Sequence, residues 1–155
     1  MMNVLAQLEA SAFGAWLRES SSIWAYPAVL TLHTIGLAVL VGANAVLDLR
    51  LLGAAPRIPL APLERLFPVM WAGFWINAAS GVALFVADAT TKGATTLFLA
   101  KLAIVVAGVV VLRRIRTTVY GRGAAAASPT STVLAGLSLT LWLLAIVTGR
   151  YMAYL

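Results

Sequence analysis

The stretch Trp24–Val46 reads WAYPAVLTLHTIGLAVLVGANAV, and apart from Tyr26 its only ionisable side chain is His33. A helix crosses the hydrocarbon core of a bilayer with about 20 mostly apolar residues. The stretch therefore reads as the centre of a membrane-spanning helix from about Ile23 to Leu47. Three further segments meet the same criterion. FPVMWAGFWINAASGVALFVA lies within a span from about Leu66 to Ala87, TTLFLAKLAIVVAGVVVL covers Thr95 to Leu112, and TVLAGLSLTLWLLAIVTG covers Thr132 to Gly149.

Composition points the same way. Of the 155 residues, 62% are hydrophobic and 10% charged, and the mean hydropathy is +0.96. A soluble domain averages roughly 45–50% apolar and about 25% charged, and at this length it would still expose much of its surface to water. The expected fold is an all-α, antiparallel bundle of four membrane helices in a single domain covering residues 1–155. The absence of cysteine excludes disulfides, thiolate metal sites and a cysteine nucleophile. The net charge of +6 does not point to nucleic acid, because most of the Lys and Arg residues flank the apolar spans and would meet lipid head groups.

Met1 to Ser22 lacks an early basic residue and carries Glu9, so it does not read as a cleavable signal. Val4, Leu5, Leu8, Phe13, Trp16 and Leu17 fit either a short amphipathic helix in the head-group layer or a frayed tail with apolar anchors. Ser20, Ser21 and Ser22 form a break and a cap candidate for the first span. Pro56, Pro59 and Pro62 interrupt the first connection. The second connection, DATTKGAT, reads as a tight turn.

Orientation follows from basic residues beside the spans. The two long connections carry Arg50, Arg57, Arg65, Arg113, Arg114, Arg116 and Arg122, seven in all, against Arg18, Lys92 and Arg150 on the other side. That count places both long connections in the cytoplasm and both termini outside, in the periplasm or extracellular space. Trp24, Tyr26, Tyr151 and Tyr154 suit the outer interface.

Ionisable groups inside a span cost roughly 2.5–3.5 kcal/mol at mid-membrane on insertion scales. His33 and Lys101 are the two that stand out. His33 shares a helical stripe with Leu37, Leu40 and Asn44, with Asp48 at the cytoplasmic end. Its imidazole can ligate a metal or haem iron, relay a proton or bond a quinone carbonyl, or can simply tighten helix packing through a hydrogen bond. Lys101 either snorkels to the head groups or pairs with Asp88. Asn77 lies on an inward stripe with Gly73, Gly81, Leu84 and Asp88, and a mid-span amide seeks an interhelical bond. His33, Lys101 and Asn77 are the candidate cofactor-binding residues, with His33 the candidate metal ligand. Ala135, Ser138, Trp142, Ala145 and Gly149 read as a packing stripe, whereas Val105, Val109 and Leu141 read as facing lipid or a neighbouring subunit. No phosphate loop, nucleophile–base spacing or carboxylate pair within a span argues for an enzyme.

The runs LHTIGLAVLVG…LDLRLLG, FPVMWAGFWINAASGVALFVADA, FLAKL and LW…TGRYMAY resemble a family of small bacterial four-helix inner-membrane proteins without an assigned function. A looser likeness runs to copper resistance D-type and cytochrome b561-type bundles, which also place a histidine before a glycine in a span, as His33 and Gly36 stand here. The resemblance implies a bacterial inner-membrane location and the four-helix fold. The looser likeness implies haem b at His33, with the second ligand coming from Lys101, Met152, another copy or a partner chain. Three functions follow as expectations: a redox-linked subunit binding haem or quinone at His33, a small transporter or channel lined by His33, Asn77 and Lys101, or an accessory subunit. A homo-oligomer or larger membrane complex is expected in each case.

Overall fold

The computed structural model describes residues 2–121, 125–152 and 154, with side chains from residue 4 onward. Arg122, one of the seven basic residues counted above, lies outside them. Two short helices, α1 (Met2–Glu9) and α2 (Ala12–Glu19), precede α3 (Tyr26–Leu51). A 3₁₀ segment (Ala61–Arg65) leads into α4 (Leu66–Ala87), and α5 (Ala89–Gly93), α6 (Thr96–Tyr120) and α7 (Pro129–Tyr151) follow. Four of these, α3, α4, α6 and α7, are long and apolar enough to cross a membrane. Only 17–22% of the most apolar stretch of each is buried inside the chain. The remaining apolar surface needs lipid or further protein to cover it, which makes this a multi-pass membrane bundle.

Local chemistry sets the ends. Pro27 sits in the first turn of α3, where a missing N–H costs nothing. No side chain caps that helix. The serines expected to do so build the preceding turn instead: Ser20 Oγ accepts from Ser22 N and Ser22 Oγ from Trp24 N, each at 3.2 Å. At the other end of α3, Gly53 takes φ 93°, a left-handed conformation that glycine adopts without a Cβ penalty. Ser128 and Ser131 form a reciprocal capping box that starts α7 three residues before the apolar run. Past Leu112, α6 continues to Tyr120 because Ile115 and Val119 keep the buried stripe going, at 0% and 1% exposure. Arg113 and Arg116 on the same turns lie over the rings of Trp71 and Phe67.

The long helices pair, α3 with α4 and α6 with α7, and α3 joins the pairs through α7. The core runs from Leu40, Leu47 and Leu51 through Phe67 and Met70 to Leu112, Ile115, Ala135 and Trp142. Val105, Val109 and Leu141 pack against this core, contrary to the lipid-facing expectation. The neighbouring Val106, Val110 and Leu143 are the exposed residues. At the opposite end from Arg50 and Arg113, α1 and α2 dock onto α4 and α5. Leu17 is fully buried beside Ala25 and Ala87, and Glu9 Oε2 accepts from Thr90 N at 2.8 Å and Thr90 Oγ1 at 2.6 Å. The amphipathic character is thus real, but the segment is two helices broken at Ser11, which caps the second. The second connection holds the short α5 where a plain turn was expected.

Candidate functional site

His33 stands two turns into α3, at the interface with α4. Its Nδ1 lies 2.9 Å from the backbone oxygen of Asn77 and 3.2 Å from Ser80 Oγ. A carbonyl oxygen can only accept, whereas the Asn77 amide Nδ2, 3.3 Å from Nδ1, can only donate; the shorter contact to the carbonyl favours the tautomer in which Nδ1 carries the hydrogen and donates it. In the neutral ring this leaves Nε2 with its lone pair. The Ser80 hydroxyl donates to Ile76 O at 2.6 Å. Asn77 Nδ2 donates to His33 O at 2.8 Å, so the amide and the imidazole residue lock each other across the helix pair. Such a carbonyl bond on one ring nitrogen is the usual way a ligating imidazole is oriented.

Close backbone approach makes this geometry accessible. A Cβ built on Gly36 would meet Asn77 N at 2.6 Å, and one built on Gly81 would meet His33 Cε1 at 3.1 Å. Small residues at these two positions let α4 reach the imidazole.

Lys101 stands elsewhere. Its Nζ lies 3.3 Å from where a Cβ of Gly149 would be, in the α6–α7 pair. Among the described residues no carboxylate pairs with it. The expected Asp88 partner is taken by Lys92, whose Nζ is 3.4 Å from Asp88 Oδ2. The i,i+4 spacing across α5 brings those two together, and Lys92 also donates to Met152 O at 3.0 Å. Of the three candidate residues, then, the fold bonds His33 to Asn77 and leaves Lys101 in the other helix pair. No three of His, Cys, Asp and Glu gather into a metal-binding group among the described residues, so His33 would be a lone protein ligand of that kind.

A second polar cluster lies towards the other end of α3. Asn44, Asp48 and Ser138 are all 0% exposed, and Asn44 Nδ2 donates to Asp48 Oδ2 at 2.5 Å and to Ser138 Oγ at 2.9 Å. The sequence places these residues on helical stripes without marking the cluster: the apolar run of the first span ends at Leu47, one residue short of Asp48, and Ser138 reads as one small residue in a packing stripe. The i,i+4 spacing of Asn44 and Asp48 within a helix that continues to Leu51 was the available signal.

The third feature is a surface cleft of about 440 Å³ between α4 and α6, lined by Phe67, Trp71, Leu112, Arg113, Arg116 and Thr117. It opens at the arginine-rich end of the bundle and does not include His33. Comparison with family models, curated proteins and solved structures finds no match to this chain.

Proposed function

We propose that this chain is a redox-linked membrane subunit that holds a lipid-soluble quinol at His33. One observation carries the reading: Nδ1 is tied to the Asn77 carbonyl at 2.9 Å, so Nε2 is left as a fixed acceptor in a half-buried position within the apolar span. A quinol hydroxyl is a donor that reaches such a depth dissolved in lipid, and it would give its hydrogen bond to Nε2. Lys101, without a carboxylate partner among the described residues, adds positive potential that favours the more electron-rich oxygen of the ligand.

Haem b fits less well. The sequence supplies one histidine and therefore one imidazole ligand. Lys101, the alternative nitrogen, rests against Gly149 while His33 is bonded into the other helix pair. The basic-residue count supports termini outside and long connections in the cytoplasm, and the exposed apolar faces support a place within a larger assembly.

Two measurements on the protein in nanodiscs test the reading. Titration with a short-chain quinol should saturate for the wild type and lose at least tenfold in affinity in His33→Ala. Equal affinity in the two, or no binding by the wild type, removes the quinol reading. A Soret band in the purified protein that disappears in His33→Ala would put haem in its place.

A further inference from the structure

The buried cluster at Asp48 lacks the partners its chemistry calls for. Asn44 spends both amide hydrogens, one on Asp48 Oδ2 and one on Ser138 Oγ. Among the described residues Asn44 Oδ1 and Asp48 Oδ1 have no partner, and neither has the indole Nε1 of Trp142 one turn along α7 from Ser138. The residues concerned are 0–1% exposed. Buried polar atoms are nearly always bonded, so three in one seam is an unusual concentration.

Among the described residues no cation pairs with the carboxyl. Between Leu66 and Ala87 α4 has no ionisable residue, and α7 has none from Pro129 to Gly149. On α3 itself the nearest charge is Arg50, whose guanidinium donates to the carbonyls of Ile58 and Pro56. His33 is about 22 Å away along the same helix at 1.5 Å per residue. On α6, Arg113, Arg114 and Arg116 are exposed, and Arg116 faces Glu64 of the 3₁₀ segment at 3.8 Å. Arg65, beside Glu64, is exposed as well. A bare carboxylate in that setting is far more expensive than a neutral carboxyl.

A single proton answers both the missing charge and two of the missing bonds. With hydrogen on Oδ1, Asp48 becomes a donor, and the Asn44 amide oxygen, on the residue already bonded to Oδ2, is a buried acceptor short of one. Acid and amide then pair reciprocally: N–H of Asn44 to Oδ2, and O–H of Asp48 to the Asn44 oxygen. We propose that Asp48 is a reversible proton-binding site inside the membrane span, with Asn44 as the group that recognises the protonated acid. Release breaks the Asp48 O–H bond and passes the proton to water at the arginine-rich end, and uptake is the reverse. Asn44 then loses its donor and Asp48 Oδ2 keeps the amide N–H. This site stands at the other end of α3 from His33 and does not depend on the quinol reading.

Infrared pH-difference spectroscopy of the full chain in lipid nanodiscs tests the proposal. At neutral pH the wild type should show the C=O band of a protonated, hydrogen-bonded carboxyl. The band should fade reversibly as pH rises and should shift when aspartate is ¹³C-labelled. The label reports on only Asp48 and Asp88, and Asp88 is a half-exposed partner of Lys92. Asp48→Asn should abolish the band, Asn44→Ala should move its frequency, and His33→Ala should leave it in place. The proposal is overturned by a wild type with no such band, by a band insensitive to the aspartate label, or by one that survives Asp48→Asn. It is equally overturned if sodium at constant pH erases the band, since the oxygens would then hold a metal cation. The labelled wild type decides the matter even if Asp48→Asn fails to assemble.

Discussion

Gly36 on α3 and Gly73 on α4 face each other so closely that a Cβ on Gly36 would lie 2.9 Å from the Gly73 carbonyl oxygen, and one on Gly73 would lie 2.8 Å from that of Gly36. Both obstacles are backbone, which cannot swing aside as a side-chain tip can. Overpacking a tight contact costs roughly 1–3 kcal/mol, which exceeds the gain of about 0.5–1 kcal/mol from replacing a mid-helix glycine by alanine. Gly36→Ala and Gly73→Ala should therefore lower the thermal stability of the detergent-solubilised protein. Gly42→Ala and Gly136→Ala, where an added Cβ meets nothing within 4 Å, should raise it slightly. Indistinguishable melting of the two sets would show that α3 and α4 do not touch at this crossing.

Glu9 ties the N-terminal helices to α5. The Thr90 hydroxyl, the Thr90 backbone N–H and, more weakly, Arg18 hold its carboxyl below the ordinary value of 4.5. A group whose pKa is depressed on folding contributes stability above its unfolded value, and that contribution is lost as pH falls through the folded value. Docking of α1 and α2 should thus be complete at neutral pH and weaken only once pH drops below 4.5. Limited proteolysis across α1–α2 would follow it, with Glu9→Gln more readily cut at neutral pH. Cleavage that is equal in wild type and Glu9→Gln at every pH would remove Glu9 from this role.

The basic-residue count makes a claim about sides. A cysteine at Thr91, which is exposed on α5, and one at Ala127, exposed just before the Ser128 cap, should react with an impermeant thiol reagent from opposite faces of the membrane, Thr91 from outside. Labelling of both from one face would contradict a four-span path.

How far the sequence revealed this fold depended on which interaction governed each element. The span Leu66–Ala87 is legible to the residue, since Arg65 and Asp88 bracket a run with no ionisable side chain. α6 was underestimated by eight residues because hydropathy ends at Leu112, whereas Ile115 and Val119 continue a buried stripe between arginines. At the site, the inward stripe of Asn77 and Gly81 is readable from spacing, and His33 stands out as an ionisable residue within a span. That Asn77 would use its backbone oxygen on the imidazole and its side chain on the His33 carbonyl could not be read, because both bonds depend on helix rotation. Lys101 was read with Asp88 on the basis of depth alone, while the shorter i,i+4 path to Lys92 prevailed. The buried cluster is hinted at only by the i,i+4 spacing of Asn44 and Asp48, because the bond from Asn44 to Ser138, 94 residues away on α7, leaves no local pattern.

Ligand binding at His33 depends on which nitrogen of its imidazole is free, and a chain with a single histidine permits that to be observed directly. Nitrogen NMR of the ¹⁵N-histidine-labelled protein in nanodiscs should show Nδ1 protonated and Nε2 bare at neutral pH. On adding a short-chain quinol, the Nε2 resonance should move towards that of a hydrogen-bonded acceptor while Nδ1 stays in place. A ring protonated at Nε2 with Nδ1 bare, or an Nε2 resonance that saturating quinol leaves unmoved, would contradict the assignment of His33 as the ligand-binding group.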